Sequence, residues 1–146
     1  MNIKVKRLTE TSILPTYGSK KAACMDLYAD IPNGTMTSYP NSTVKIGTGL
    51  SFQPPKGYYG AIYARSGLAT KQGLRPANCV GICDEDYTGE YIVAIYNDSE
   101  DIRYIHHGDR IAQLMFVPYE QATLEEVCEL SKTERGSGGF GSTGTK

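Results

Sequence analysis

Apolar residues recur at every second position over much of the chain. Ile3 and Val5 alternate with Asn2, Lys4 and Lys6. Within TVKIGTGLSF, residues 43–52, Val44, Ile46, Thr48, Leu50 and Phe52 share one face. In RIAQLMFV, residues 110–117, Ile111, Gln113, Met115 and Val117 point one way, and Ala112, Leu114 and Phe116 the other. The run YIVAIY, residues 91–96, is apolar on both faces and predicts a strand covered on both sides. Turn signals punctuate these runs: PNG at 32–34, PPKG at 54–57, YTGE at 87–90 and HHGD at 106–109. Short strands at this spacing predict an all-β fold, a jelly-roll-like sandwich or barrel. Helical periodicity is scarce. SGLATKQG, residues 66–73, predicts one short helix with Ser66 as N-cap and Gly73 as its stop. LEEVCEL, residues 124–130, fits either a strand or one or two helical turns. Beyond Leu130 the composition shifts to Gly, Ser and Thr. Such a segment buries too little to offset its ordering entropy. The expected organisation is a β core over 1–130 and a mobile C-terminal segment over 131–146.

The chain has 146 residues, enough for one domain with a core of its own. Its formal charge of −1 gives no basic surface for a nucleic-acid backbone. Membrane-spanning length is absent from every apolar run, and MNIKVKRL carries no secretory core. A soluble, cytoplasmic protein is expected, with the nucleus open to one from a eukaryote or its virus. Cys24, Cys79, Cys83 and Cys128 include no CxxC pair, so they read as reduced, buried small hydrophobes rather than as zinc ligands.

Chemistry concentrates in five stretches. ARSGLAT (64–70) sets Arg65, Ser66 and Gly67 before a helix start, an arrangement that suits an anion or, more plainly, an N-cap beside a surface arginine. VGICDEDYTGEY (80–91) holds Asp84, Glu85 and Asp86 in what reads as a hairpin turning at Thr88 and Gly89. Asp84 suits a general base toward water; charged protection of a strand edge is the ordinary alternative. AACMDLYAD (22–30) buries Asp26 among small residues, where a carboxylate needs a cation or backbone donors. In GDRIAQLMF (108–116), Gln113 lies on an apolar face, and Arg110 reads as a partner of Asp109. His106 and His107, being adjacent on a strand, face opposite ways and cannot chelate one ion together. The tail RGSGGFGSTG (135–144) places one guanidinium, Arg135, and one aromatic ring, Phe140, among glycines and hydroxyls. Glycine backbone and hydroxyl donors can crowd an anion, while Arg135 matches phosphate oxygens and Phe140 offers a flat face to a base.

Taken in order, AACMDL, ARSGLA, NCVGICDEDYTGE, GDRIAQL and RGSGGFGSTG resemble the five motifs of the trimeric dUTPase family, from LPTYGS at 14–19 to the tail. The resemblance implies a jelly-roll homotrimer with three shared active sites. Each would hydrolyse dUTP to dUMP and diphosphate with Mg²⁺, water attacking the α-phosphorus. Such an activity keeps uracil out of DNA and supplies dUMP for thymidylate synthesis. It implies Asp84 as the base that binds the 3′-hydroxyl and activates water, and Gln113 as the residue that positions that water or the α-phosphate. Tyr87 would lie under the sugar and reject ribose. Backbone near Asn78, Ile82, Cys83 and Ile92 would read uracil. Arg65, Ser66 and Gly67 would hold phosphates from a second chain, and Asp26 a water of the Mg²⁺ shell. Arg135, Gly141, Ser142 and Thr143 would close on the γ-phosphate from a third chain, with Phe140 stacked on uracil.

The chain departs from the family pattern at Cys24 and Met25, at Cys83 and at Thr88. A thiol beside the base predicts sensitivity to mild peroxide. Two other readings stand beside the hydrolase: a related dCTP deaminase, and a regulatory binding protein switched by nucleotide.

Overall fold

The computed structural model describes residues 1–32 and 34–139. Its elements are β1 (Lys4–Arg7), β2 (Thr16–Tyr17), β3 (Met25–Tyr28), β4 (Thr35–Ser38), β5 (Thr43–Gly47), β6 (Leu50–Gln53) and β7 (Tyr58–Tyr63). After these come α1 (Ser66–Gln72), β8 (Leu74–Pro76), β9 (Gly81–Cys83), β10 (Ile92–Asn97), β11 (Arg103–His106) and β12 (Arg110–Pro118). The fold is all-β with one short helix, as the alternation predicts.

Pairing is antiparallel throughout the described residues. A five-stranded sheet runs β2-β3-β12-β7-β9, and a three-stranded sheet runs β5-β10-β8. Two ribbons, β1-β6 and β11-β4, complete the sandwich. One core joins them. Leu27, Ile62, Ala112, Leu114 and Phe116 come from the larger sheet, and Ile46, Leu74, Val93 and Ile95 from the smaller. Asn97, fully buried, is satisfied at both ends of its amide. Its Nδ2 donates to the carbonyls of Ser38 and Asp101, and its Oδ1 accepts from Ser99. Buried Asp30 accepts from the hydroxyls of Thr9 and Thr11 and so fastens the loop after β1.

Several expectations are corrected by pairing. The run 43–52 is not one strand: Gly49 at φ 64° turns the chain between β5 and β6. Ile111 does not share a face with Gln113. A bulge between Arg110 and Ala112 rotates it into the core, where it is 1% exposed. β10 alternates rather than being covered on both faces: Val93 and Ile95 are buried, while Ile92 is 46% exposed. β9 forms no hairpin with β10; it pairs with β7. Residues 124–130 form neither strand nor helix, and regular structure ends at Pro118. Cys79 and Cys128 are exposed, not buried. No helix among the described residues is long and apolar enough to cross a membrane.

Candidate active site

Sheet order gathers three residues that lie far apart in sequence. Strand β3 carries Asp26 directly opposite Gln113 on β12, and Gln113 in turn faces Tyr63 at the end of β7. Arg65 stands two residues past β7, so its side chain returns over the same end of the sheet. Asp26, only 4% exposed, is the hub. Arg65 Nε donates to its Oδ1 at 2.9 Å, and Arg110 NH1 donates to its Oδ2 at 3.3 Å. Gln113 Nε2 reaches Oδ1 at 3.5 Å, and Arg65 NH1 donates to the Arg110 carbonyl at 3.2 Å. A buried carboxylate is thus compensated by two cations, each with guanidinium N–H groups that Asp26 does not engage. Arg110 pairs with Asp26, not with its neighbour Asp109. Asp109 instead accepts from the His106 backbone N–H at 2.8 Å.

Helix α1 begins at Ser66, so Ser66 is its first helical residue rather than its cap. Arg65 holds the cap position, in extended conformation and without a side-chain cap bond. The Ser66 hydroxyl is therefore not spent on capping. Gly73 ends the helix in the left-handed conformation, as expected. A Cβ on Gly67 would meet nothing within 4 Å, so this side of the turn is open.

The second group lies toward the other end of β7, on the strand beyond it. Strand β9 is the last in the order β2-β3-β12-β7-β9. Asp84 follows it directly, in a turn closed by the Tyr87 N–H donating to the Asp84 carbonyl at 3.1 Å. Glu85 accepts from the Gly57 N–H at 2.6 Å and the Tyr119 hydroxyl at 2.9 Å. These bonds, first Gly57's and then Tyr119's, hold the Glu85 carboxyl below its ordinary range and push the Tyr119 phenol up. Residues Tyr59, Ile82, Asp84, Glu85, Asp86, Tyr119 and Gln121 line a cleft of ≈ 480 Å³. Tyr87 stacks beside Tyr91, ring centres 6.1 Å apart, and donates to the Glu90 carbonyl at 2.9 Å. Ile82 and Ile92 are 57% and 46% exposed. The Asn78 amide lies close against Gly81. Cys83 packs against the core, and burial pushes its thiol up to about 11. At neutral pH that sulfur stays protonated and a poor nucleophile, which argues against the expected sensitivity to peroxide.

One chain does not unite the two groups. Gln113 faces Tyr63 on β7, whereas Cys83 faces Gly60 on the same strand. With strands ~4.8 Å apart and ~3.4 Å per residue along each, Asp84 stands on the order of 15–20 Å from Asp26 and Gln113. Arg135 lies apart from both, its Nε donating to the Gly138 carbonyl at 2.8 Å in an exposed turn. Phe140, Gly141, Ser142 and Thr143 lie outside the described residues. Sequence reasoning passed over two contacts, Arg110 with Asp26 and Glu85 with Gly57 and Tyr119. Both join residues distant in the chain and leave no local signal.

The dUTPase family profile matches residues 10–144. A deoxyuridine 5'-triphosphate nucleotidohydrolase of Syntrophotalea carbinolica is 44% identical over 144 residues, covering 99% of this chain and 97% of the relative. One of Desulfotalea psychrophila is 46% identical over 138 residues, covering 94% and 91%. Among solved structures, a mutant of the Staphylococcus bacteriophage 80alpha dUTPase with dUpNHpp superposes at a TM-score of 0.89. It shares 28% identity and covers 99% of both chains.

Proposed function

Because the chain belongs to the dUTPase family and hydrolyses dUTP to dUMP, we propose that it works as a homotrimer. In each site Asp84 of one copy meets the Asp26, Arg65 and Gln113 group of a second. The observation that carries this reading is the separation of the two groups within one chain. A base near one end of β7 and phosphate-binding cations beyond its other end can serve one substrate only across a subunit boundary. Exposed apolar residues beyond the sheet support assembly: Leu124 is 93% and Leu130 85% exposed.

The chemistry then follows from the side chains. Arg65, with Ser66 and Gly67 at the open start of α1, binds phosphate oxygens, its guanidinium aimed by the Asp26 carboxylate. Gln113 holds the attacking water or the α-phosphate. Asp84 takes a proton from that water as its oxygen bonds to the α-phosphorus, and the bond from that phosphorus to the diphosphate oxygen breaks. Tyr87, fixed by its bond to Glu90, lies under the sugar and leaves no room for a ribose hydroxyl. β9 has a strand on one side only, so its outer backbone groups are available to pair with uracil, beside Asn78, Ile82, Cys83 and Ile92. Arg135 and the Ser142–Thr143 hydroxyls grip the γ-phosphate with Gly141, and Phe140 stacks on the base.

Enzymes of this family use a divalent metal, and we take it to be Mg²⁺. Among the described residues no group of three or more His, Cys, Asp or Glu could hold an ion. Asp26 has both oxygens engaged by guanidinium groups, which fits a contact through water rather than direct ligation. Mg²⁺ bound with the substrate would supply neutralisation of phosphate charge.

Subunit mixing tests the shared site, with Mg²⁺ present and diphosphate detected from dUTP, dTTP, dCTP and UTP. Asp84→Asn and Arg65→Ala are each expected to be nearly inactive on dUTP, the one productive substrate. Refolded together they recover roughly a quarter of wild-type activity, because a fraction of boundaries then carries two intact faces. No recovery on mixing would refute the shared site and leave dUTP hydrolysis standing.

A further inference from the structure

We propose that Glu85 is the positioning residue of the catalytic turn. One oxygen of its carboxylate fastens the turn that carries Asp84 both to the 54–57 turn and to Tyr119, where the chain leaves the sheet for its tail. The inference rests on Asp84 being the base. Three pieces of chain meet at that oxygen. Gly57 donates its backbone N–H at 2.6 Å and Tyr119 its hydroxyl at 2.9 Å. The two donors are themselves joined, since the Tyr119 N–H donates to the Gly57 carbonyl at 3.0 Å. Tyr59 then buttresses Tyr119 edge to face, with ring centres 6.2 Å apart.

Asp84 needs such outside help. Its side chain has no hydrogen-bond partner among the described residues, so its aim is set by its backbone alone. That backbone is held on one side by β9, whose pairing stops at Cys83, and on the other by the bond from Tyr87. β9 has only three residues and no outer neighbour in its sheet, so it is a weak anchor by itself. Glu85, adjacent to Asp84, anchors the turn through its bonds with Gly57 and Tyr119. It behaves as a carboxylate engaged by donors, its acidity raised by the same two bonds. Near-attack geometry tolerates little displacement, so loosening this anchor reduces turnover without removing any group that touches substrate.

Steady-state kinetics on dUTP with Mg²⁺ test this through Glu85→Ala, Glu85→Gln, Tyr119→Phe and Asp84→Asn. Sites are counted by binding of a non-hydrolysable imido analogue of dUTP. Glu85→Ala should lower kcat per site about ten- to a hundredfold with little change in KM. Glu85→Gln retains an oxygen able to accept both bonds and should stay within about threefold of wild type. Tyr119→Phe, which removes one donor, should fall between them. Loss of stability alone would reduce the number of sites and leave kcat per site unchanged. A wild-type kcat per site in Glu85→Ala overturns the proposal. If that variant does not fold, a wild-type kcat in Tyr119→Phe does so instead. An active Asp84→Asn removes the premise about the base, and this inference with it. An inactive Asp84→Asn beside a fully active Glu85→Ala removes the inference alone.

Discussion

Cys83 and Tyr91 are eight positions apart in sequence and adjacent in the core; the sulfur raises the proton affinity of the phenol, while the phenol partly offsets the rise in the thiol. Burial is the larger cause for both: it pushes the Cys83 thiol from 9.0 to about 11 and the Tyr91 phenol further up still. The Tyr91 hydroxyl is buried, with the Cys83 sulfur as a weak neighbour and no well-formed hydrogen bond. The consequence for stability has a definite sign. Where a group's folded pKa exceeds its unfolded one, the folded state binds more protons between the two values, and stability falls as pH rises. The contribution from Cys83 is whole below pH 9.0 and is lost as pH climbs to about 11. Urea midpoints should therefore be level to about pH 9 and then drop. Cys83→Ala should show a shallower drop over that window, with the remainder due to Tyr91. A wild-type midpoint that is flat through the window would contradict the buried thiol.

At the level of strands, Gly60 is pressed against a buried ring. It sits on β7 between β12 and β9, facing Phe116 and Cys83 across the two ladders. A Cβ there would lie 2.7 Å from the Tyr91 hydroxyl and 2.9 Å from its ring. Tyr91 is fully buried and its ring packs 4.7 Å from that of Phe52, so it has nowhere to retreat. Gly60→Ala should cost about 1–3 kcal/mol by overpacking, read as a lowered Tm. An unchanged Tm would mean that β7 can shift. The strand at 58–63 goes unread in the sequence, and this contact with it, because the contact depends on which strands are neighbours. The same reason covers the other differences. Apolar patterning located strands around 3–6, 43–52, 91–96 and 110–117, and cap and stop signals located the 66–73 helix, since all of these are local. It missed the bulge that turns Ile111 inward, the break at Gly49 and the β7–β9 pairing, since register is a property of two strands. LEEVCEL has apolar residues at spacings that fit either structure, and with no partner in the chain it adopts neither.

On the scale of the whole molecule, the sequence named Asp26, Arg65, Asp84, Gln113 and Arg135 in five separate stretches. What it did not contain was their arrangement. Three of these stretches converge because β3, β12 and β7 are neighbours; Asp84 is set apart because the end of β9 that carries it runs toward the start of β7, away from Arg65. Arg135 follows a run of chain that crosses no sheet after Pro118, so in one chain it has no fixed relation to either group. Under the proposed shared site an isolated subunit is a set of partial sites, and assembly is part of the chemistry. The last component to arrive should affect the transition state more than the ground state. Charge builds on the leaving diphosphate as the bond to the α-phosphorus breaks, and a guanidinium brought over it in a site cleared of water interacts far more strongly than one in bulk solvent. Arg135→Ala should lower kcat by ~10²-fold, as for loss of one transition-state donor. Binding of dUMP, which has no γ-phosphate to grip, should change far less. Single-turnover rates and dUMP titrations separate the two quantities. Equal losses in both would assign Arg135 to ground-state binding, and an unchanged kcat would remove it from the site.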